Sequence, residues 1–168
     1  GFLNLFGSKH ADNWIEVGAL NWKTGETLAA PFSNYSPEYV DLFAPGMAIY
    51  STTPDNGYED LQGTSMAAPV VAGVAAMLRS YYPDLTAEQV KSILMQSAVK
   101  DRTKVKKPGS KEDMVSFSTL SVTGGIVNAY EAVKLAEQTK GKKKGVSRNG
   151  GGASNAKKGK GDDNSVRP

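Results

Sequence analysis

The chain has 168 residues, of which 39% are hydrophobic, and this composition suits one domain with a buried core. It contains no cysteine, which excludes a disulfide framework and thiolate metal sites, and no apolar run reaches the roughly 18 residues of a membrane span. The net charge is +3, but residues 139–168 alone carry nine Lys/Arg and two Asp/Glu, so the preceding part of the chain is acidic.

The first third of the chain has short strand patterns. Residues 14–20 alternate and predict a strand, and residues 21–26 predict a hairpin turn with a second strand after it. Residues 40–44 predict a buried strand that Pro45-Gly46 stops, and residues 54–57 predict a loop close to the functional site. The one histidine, His10, lies in a polar irregular stretch and is interpreted as a surface residue.

Residues 63–82 form the most informative stretch, because a Gly-Thr-Ser turn leads directly into an apolar helix without a polar stripe. Such a helix is typical of a protein core. Pro69 lacks an N–H and fits the first turn, so the helix is predicted to start near Ser65. Free amides and the helix dipole would then favour an oxyanion beside Ser65, which predicts a nucleophile. The alternative is that Thr64 or Ser65 is only a helix N-cap.

Two further helices are predicted downstream. Thr86 and Gln89 fit a capping box that opens an amphipathic outer helix reaching about Val99. Residues 101–113 are charged and predict a loop, and residues 114–122 alternate like a strand pair. Gly124-Gly125 is predicted to open the last helix.

The basic segment 139–168 is rich in Lys and Gly and has no aromatic residue, so it is predicted to be a disordered tail beyond a domain at residues 1–138. A solubilising terminus is favoured over an electrostatic contact with nucleic acid or anionic lipid. Nucleic acid is an unfavoured partner, because the tail offers no base-stacking side chain.

The string GTSMAAPVVAG at residues 63–73 resembles the nucleophile motif of the subtilisin-like serine peptidases, the peptidase S8 family. Val70 departs from this motif, since the family usually has His there, but that His is not part of its catalytic triad. Segments at residues 32–34, 40–46 and 125–129 resemble weaker family motifs and occur in the family's order.

The resemblance implies an α/β fold in which this chain is the C-terminal part of a doubly wound, mostly parallel sheet with helices on both faces. It implies a secreted or cell-envelope serine endopeptidase that cleaves proteins or peptides through an acyl-enzyme on Ser65, with Thr64 supporting the oxyanion. The catalytic Asp and His would belong to a missing N-terminal part of the domain, so the fragment alone is expected to be inactive. Structural calcium is a family feature, although no cofactor motif is visible. The alternative is a non-catalytic binding module on the same fold.

Overall fold

A four-stranded sheet organises the part of the chain that the computed structural model describes, residues 13–142. His10 and residues 143–168 of the predicted tail lie outside these described residues. In chain order the elements are β1 Val17–Leu20, β2 Leu42–Pro45, β3 Ile49–Thr53, β4 Gly57–Leu61, α1 Thr64–Tyr81, α2 Ala87–Gln96, β5 Val99–Lys100, β6 Lys104–Lys106, β7 Met114–Ser116, β8 Gly125–Ile126 and α3 Ala129–Glu137.

The sheet has the order β1-β2-β8-β5. The pairs β1–β2 and β2–β8 are parallel, and only the short strand β5 pairs with β8 in the antiparallel direction. The fold is therefore α/β with a mostly parallel sheet, as predicted. The predicted strand 40–44 is also confirmed, because β2 is buried from Leu42 to Ala44 and ends at Pro45.

Side chains alternate along β2 and divide the core between the two faces of the sheet. Leu42 and Ala44 face a cluster with apolar residues from α1, α2 and α3. Phe43 faces the other side, where its ring lies 4.9 Å from the ring of Phe117 between centroids. Gly18 on β1 leaves room for this ring, since a Cβ there would lie 2.5 Å from Phe43 Cε1.

The helix α1 is buried on one side only, which differs from the prediction of a helix that is buried all round. Its fully buried side is formed by Ala67, Val71 and Leu78. The opposite side is an exposed stripe of small apolar residues, and we call it the α1 stripe: Ala68, Pro69, Ala72, Gly73 and Ala76. Residues 13–142 thus cover half of a helix whose composition suits complete burial.

Two details of α1 differ from expectation. The helix starts at Thr64, within one residue of the prediction, but Pro69 lies in its second turn rather than its first. The sequence also predicts that another backbone packs closely on Gly73, because glycine in a helix interior is less favourable than alanine. Within the described part of the chain, no group from outside α1 lies within 4 Å of a Cβ placed on Gly73.

The predicted capping box of α2 is confirmed. Thr86 Oγ1 accepts from the Gln89 amide at 3.2 Å, and Gln89 Oε1 accepts from the Thr86 amide at 3.1 Å. The helix ends at Gln96, three residues before the predicted end. Lys91 on α2 approaches the buried Asp41 carboxylate at 3.5 Å and so ties this helix to the start of β2.

The hairpin predicted at residues 21–26 is reduced to a single antiparallel bridge between Leu20 and Ala29. A short 3-10 turn, Gly25–Thr27, replaces the predicted turn, and no second strand of this hairpin forms within residues 13–142. The returning segment instead uses the Ala30 amide and the Ser33 hydroxyl to bind the Ala19 carbonyl and amide. This segment closes part of the outer edge of β1.

The prediction of a strand pair within residues 114–122 is wrong, because the partner strand comes from another part of the chain. Only β7 forms there, and it pairs with β6 from within the predicted charged loop. The short pattern Lys104-Val105-Lys106 alternates, and Val105 is fully buried between the two exposed lysines. Because most residues around Val105 are charged, this short alternation is interpreted from the sequence as part of a loop.

The predicted start of the last helix is also wrong. Gly125 and Ile126 form β8, an inner strand of the sheet, and α3 begins only at Ala129. The N-cap is Asn128, whose side chain accepts from the Glu131 amide at 3.0 Å. A Cβ on Gly125 would lie 2.9 Å from the Val99 carbonyl oxygen, so close strand packing explains this glycine.

Candidate active site

The turn that carries Ser65 lies at the carboxyl end of the two parallel strands β1 and β2. The Gly46 amide, just after β2, donates to the Leu20 carbonyl at the end of β1 at 3.1 Å. The Gly63 amide in turn donates to the Gly46 carbonyl at 2.8 Å. Ligand sites of open α/β sheets occur at this edge.

Glycine is required at position 63 for two reasons. Its backbone has φ +152°, a conformation that side chains rarely adopt. A Cβ at this position would also lie 2.8 Å from Ser65 Oγ, so any side chain would press on the hydroxyl. Gly46 is equally confined, since its Cβ would lie 2.7 Å from Ala19 Cβ and 2.8 Å from the Gly63 carbonyl oxygen. The sequence predicts a turn at Gly63 and a strand end at Gly46, but it does not indicate the close packing that requires glycine at both positions.

The Ser65 hydroxyl does not cap the helix. Gly63 is the N-cap residue, with no side-chain capping bond, and Ser65 is the second residue of α1. Its exposed Oγ donates to the Met66 sulfur at 3.3 Å, a weak acceptor that a stronger partner can displace. The interpretation of Ser65 as an N-cap is therefore excluded.

Helix α1 begins with two backbone amides that have no partner within the helix, those of Thr64 and Ser65. The amides of Met66 and Ala67 both donate to the Gly63 carbonyl, at 3.0 and 3.3 Å. The amides of Thr64 and Ser65 come first in the helix and have no carbonyl of the preceding turn to bind. They lie at the positive end of the α1 dipole, where a negative charge is stabilised. Thr64 is half-buried beside them.

The loop predicted at residues 54–57 is the tip of the β3–β4 hairpin. Asp55 and Asn56 both have positive φ, and the Gly57 amide donates to the Pro54 carbonyl at 3.3 Å, which is a type I′ turn. Strand β4, Gly57–Leu61, and Gln62 lie between this tip and Gly63 along the chain. The base of the hairpin lies at the site turn, since the Gly63 amide binds the Gly46 carbonyl, while the closeness of the tip to Ser65 stays a prediction.

Several partners of a serine nucleophile do not occur in residues 13–142. The sequence has one histidine, His10, which precedes this range, so no imidazole faces Ser65 within it. The same residues contain no group of three or more His, Asp or Glu side chains that could hold a metal ion.

None of the helices in residues 13–142 is long and apolar enough to cross a membrane.

Fold and turn together define a class of protein. An exposed serine at the start of a core helix, at the carboxyl edge of a mostly parallel sheet, is an arrangement used by α/β serine hydrolases. The chain belongs to the subtilase family, Peptidase_S8, whose family model matches residues 7–152. This agrees with the resemblance that the sequence motifs indicated.

Individual relatives support the family. The chain is 39% identical to subtilisin-like protease 1 of Plasmodium berghei over 134 residues, an alignment that covers 79% of this chain. It is 45% identical to subtilisin DY of Bacillus licheniformis over 87 residues, an alignment that covers 52% of this chain. It is also similar to the solved self-cleaved protease domain of PatA, with a TM-score of 0.54, 29% identity and 74% of this chain covered.

These matches span only part of each relative. The aligned region is 20% of the Plasmodium protease, 30% of subtilisin DY and 42% of the PatA protease domain. The chain therefore corresponds to a fifth to two fifths of these relatives.

Proposed function

We propose that this chain is the nucleophile-bearing, C-terminal part of a serine endopeptidase domain. Ser65 attacks the peptide bond, and an upstream segment of the same protein supplies the base. The observation that carries the proposal is the Ser65 hydroxyl, which is exposed, does not cap its helix and lies beside free amides at the start of α1. A structural serine at a helix start would accept a capping bond instead.

In the proposed reaction, Ser65 Oγ attacks the carbonyl carbon of the substrate while its proton passes to the upstream histidine. The carbonyl oxygen becomes an oxyanion, which accepts a hydrogen bond from the Ser65 amide, with Thr64 as further support. The C–N bond then breaks, and the histidine returns the proton to the leaving amine. Water hydrolyses the ester on Ser65 by the reverse sequence and restores the hydroxyl.

The surface of α1 supports the requirement for an upstream segment. Ser65 lies on the same side of the helix as the α1 stripe, because Pro69, Ala72 and Ala76 follow it at intervals of four, seven and eleven residues. A segment that packs on this stripe therefore lies close to Ser65 at the N-terminal end of α1. Small side chains along the stripe allow close approach of another element. The partner that fits best is the N-terminal part of the same domain.

Two further properties belong to the proposal. Location outside the cell or in the cell envelope is inferred from the resemblance to secreted peptidases. Structural calcium is a second expectation from the family. Within residues 13–142 there is no group of three or more His, Asp or Glu side chains that could hold a metal ion.

The proposal is tested in the complete reading frame that contains this chain. Ser65→Ala should abolish hydrolysis of a casein or peptide substrate, whereas Ser80→Ala should leave it unchanged. Ser80 is the matched control, because it is an exposed serine near the other end of the same helix. A complete protein that folds but cleaves nothing would favour the non-catalytic binding module, and activity that survives Ser65→Ala would refute the role of Ser65.

A further inference from the structure

The β3–β4 hairpin presents an exposed face that the proposed chemistry does not use. Tyr50 and Tyr58 are 70% and 62% exposed, although large aromatic side chains are usually buried. Their rings stack with centroids 5.7 Å apart and planes inclined by 17°. Two stacked rings in solvent form a flat apolar platform.

The register of the hairpin adds a carboxylate to this platform. Tyr50 pairs with Asp60, and Thr52 pairs with Tyr58, so all four side chains lie on one face of the ribbon. All four are exposed, whereas the other face is mostly half-buried. We call this exposed face the tyrosine face; it consists of Tyr50, Thr52, Tyr58 and Asp60.

The charge of the hairpin has one sign. Residues 47–62 include Asp55, Glu59 and Asp60 but no lysine or arginine. Within residues 13–142 no basic side chain forms an ion pair with Asp60. The carboxylate beside the tyrosine platform is therefore available to a cation from outside this region.

Arginine is the side chain that fits such a surface. Its planar guanidinium stacks on aromatic rings and also binds carboxylates in a bidentate manner. We propose that the tyrosine face binds an arginine side chain of the peptide substrate, with the guanidinium stacked on the tyrosine platform and paired with Asp60. This proposal rests on the proposed function and adds a substrate class to it.

The position of the face relative to Ser65 limits where this arginine lies in the substrate. Asp60 precedes Ser65 by five residues, so their Cα atoms are at most about 18 Å apart. An extended peptide advances about 3.3 Å per residue. The arginine therefore lies within about five residues of the bond that is cleaved.

Binding is tested in the complete protein with Ser65→Ala, so that no peptide is cleaved during the titration. Two fluorescent peptides are used that differ only in arginine or citrulline, its neutral analogue. Stacking and one exposed ion pair predict roughly three- to thirtyfold tighter binding of the arginine peptide. Asp60→Asn and Tyr58→Leu should each reduce this preference to about a third of its value or less. Glu59→Gln is the matched control, because it removes one charge from the opposite face of the ribbon and should change the preference less than twofold.

Equal affinity for the two peptides, or a preference that Asp60→Asn leaves intact, would overturn the proposal. The unsubstituted protein is assayed in parallel for hydrolysis of both peptides. Hydrolysis of both peptides with equal binding would retain the peptidase and reject the arginine site. Absence of hydrolysis would reject the peptidase, and the binding comparison would still decide whether the face recognises arginine.

Discussion

Gly73→Leu tests whether another segment covers the α1 stripe. In the structure of residues 13–142 the Cβ position of Gly73 is open, so the substitution removes a helix-destabilising glycine and adds no clash. Leucine is favoured over glycine in a helix interior by about 0.8 kcal/mol. If the stripe were exposed in the complete protein, the variant would therefore be more stable than the parent by about this amount.

If another segment covers the α1 stripe, Gly73→Leu should lower the free energy of unfolding instead of raising it. A leucine side chain inserted between α1 and a closely packed segment would destabilise the fold by about 1–3 kcal/mol through overpacking. The free energy of unfolding is measured from urea denaturation of the complete protein and of the variant. Ala87→Leu, on an exposed position of α2, is the control for added bulk and should change stability by less than about 0.5 kcal/mol. An unchanged or raised midpoint for Gly73→Leu would refute the covering of the stripe.

Two substitutions and one pair of truncations follow from described contacts. Gly63→Ala should destabilise the protein by about 1–3 kcal/mol, because φ is +152° at this position. The added methyl group should also displace Ser65 Oγ and so reduce the rate of substrate hydrolysis. Unchanged unfolding and hydrolysis would contradict this prediction. Thr86→Ala should lower the free energy of unfolding by about 1 kcal/mol in urea denaturation, through loss of the capping box, and no loss would contradict the cap. Truncation after Lys142 should leave the thermal midpoint within about a degree. Truncation after residue 139 should lower the midpoint, because it removes the Lys140 carbonyl and the Lys142 amide, which bind the Gln89 side chain. Equal midpoints for the two truncations would contradict a role for these bonds.

Local signals predicted those elements whose boundaries are set by side chains next to them in sequence. Thr86 and Gln89 fix the start of α2 through mutual hydrogen bonds, and Pro45 fixes the end of β2. The site turn was predictable for the same reason, since Gly63, Thr64 and Ser65 are contiguous. Each of these features is decided within a few residues.

The errors occur where distant packing decides the structure. Gly125-Ile126 is too short to indicate a strand, and it becomes one because β2 and β5 flank it. Val105 pairs with Val115 across ten positions, and charged residues hide its alternation. The exposed half of α1 is a third case, because its composition indicates burial against a surface that residues 13–142 do not supply.

The central claim is that Ser65 becomes a nucleophile only when an upstream segment supplies its base. The direct measurement is covalent labelling by a fluorophosphonate, followed by mass spectrometry of the peptide that contains Ser65. The complete protein should label at Ser65 and lose the label with Ser65→Ala, while the 168-residue chain alone should remain unlabelled, because an isolated serine hydroxyl is a poor nucleophile. Labelling of the isolated chain at Ser65, or loss of labelling in the complete protein through His10→Ala, would contradict the assignment of the base to the upstream segment.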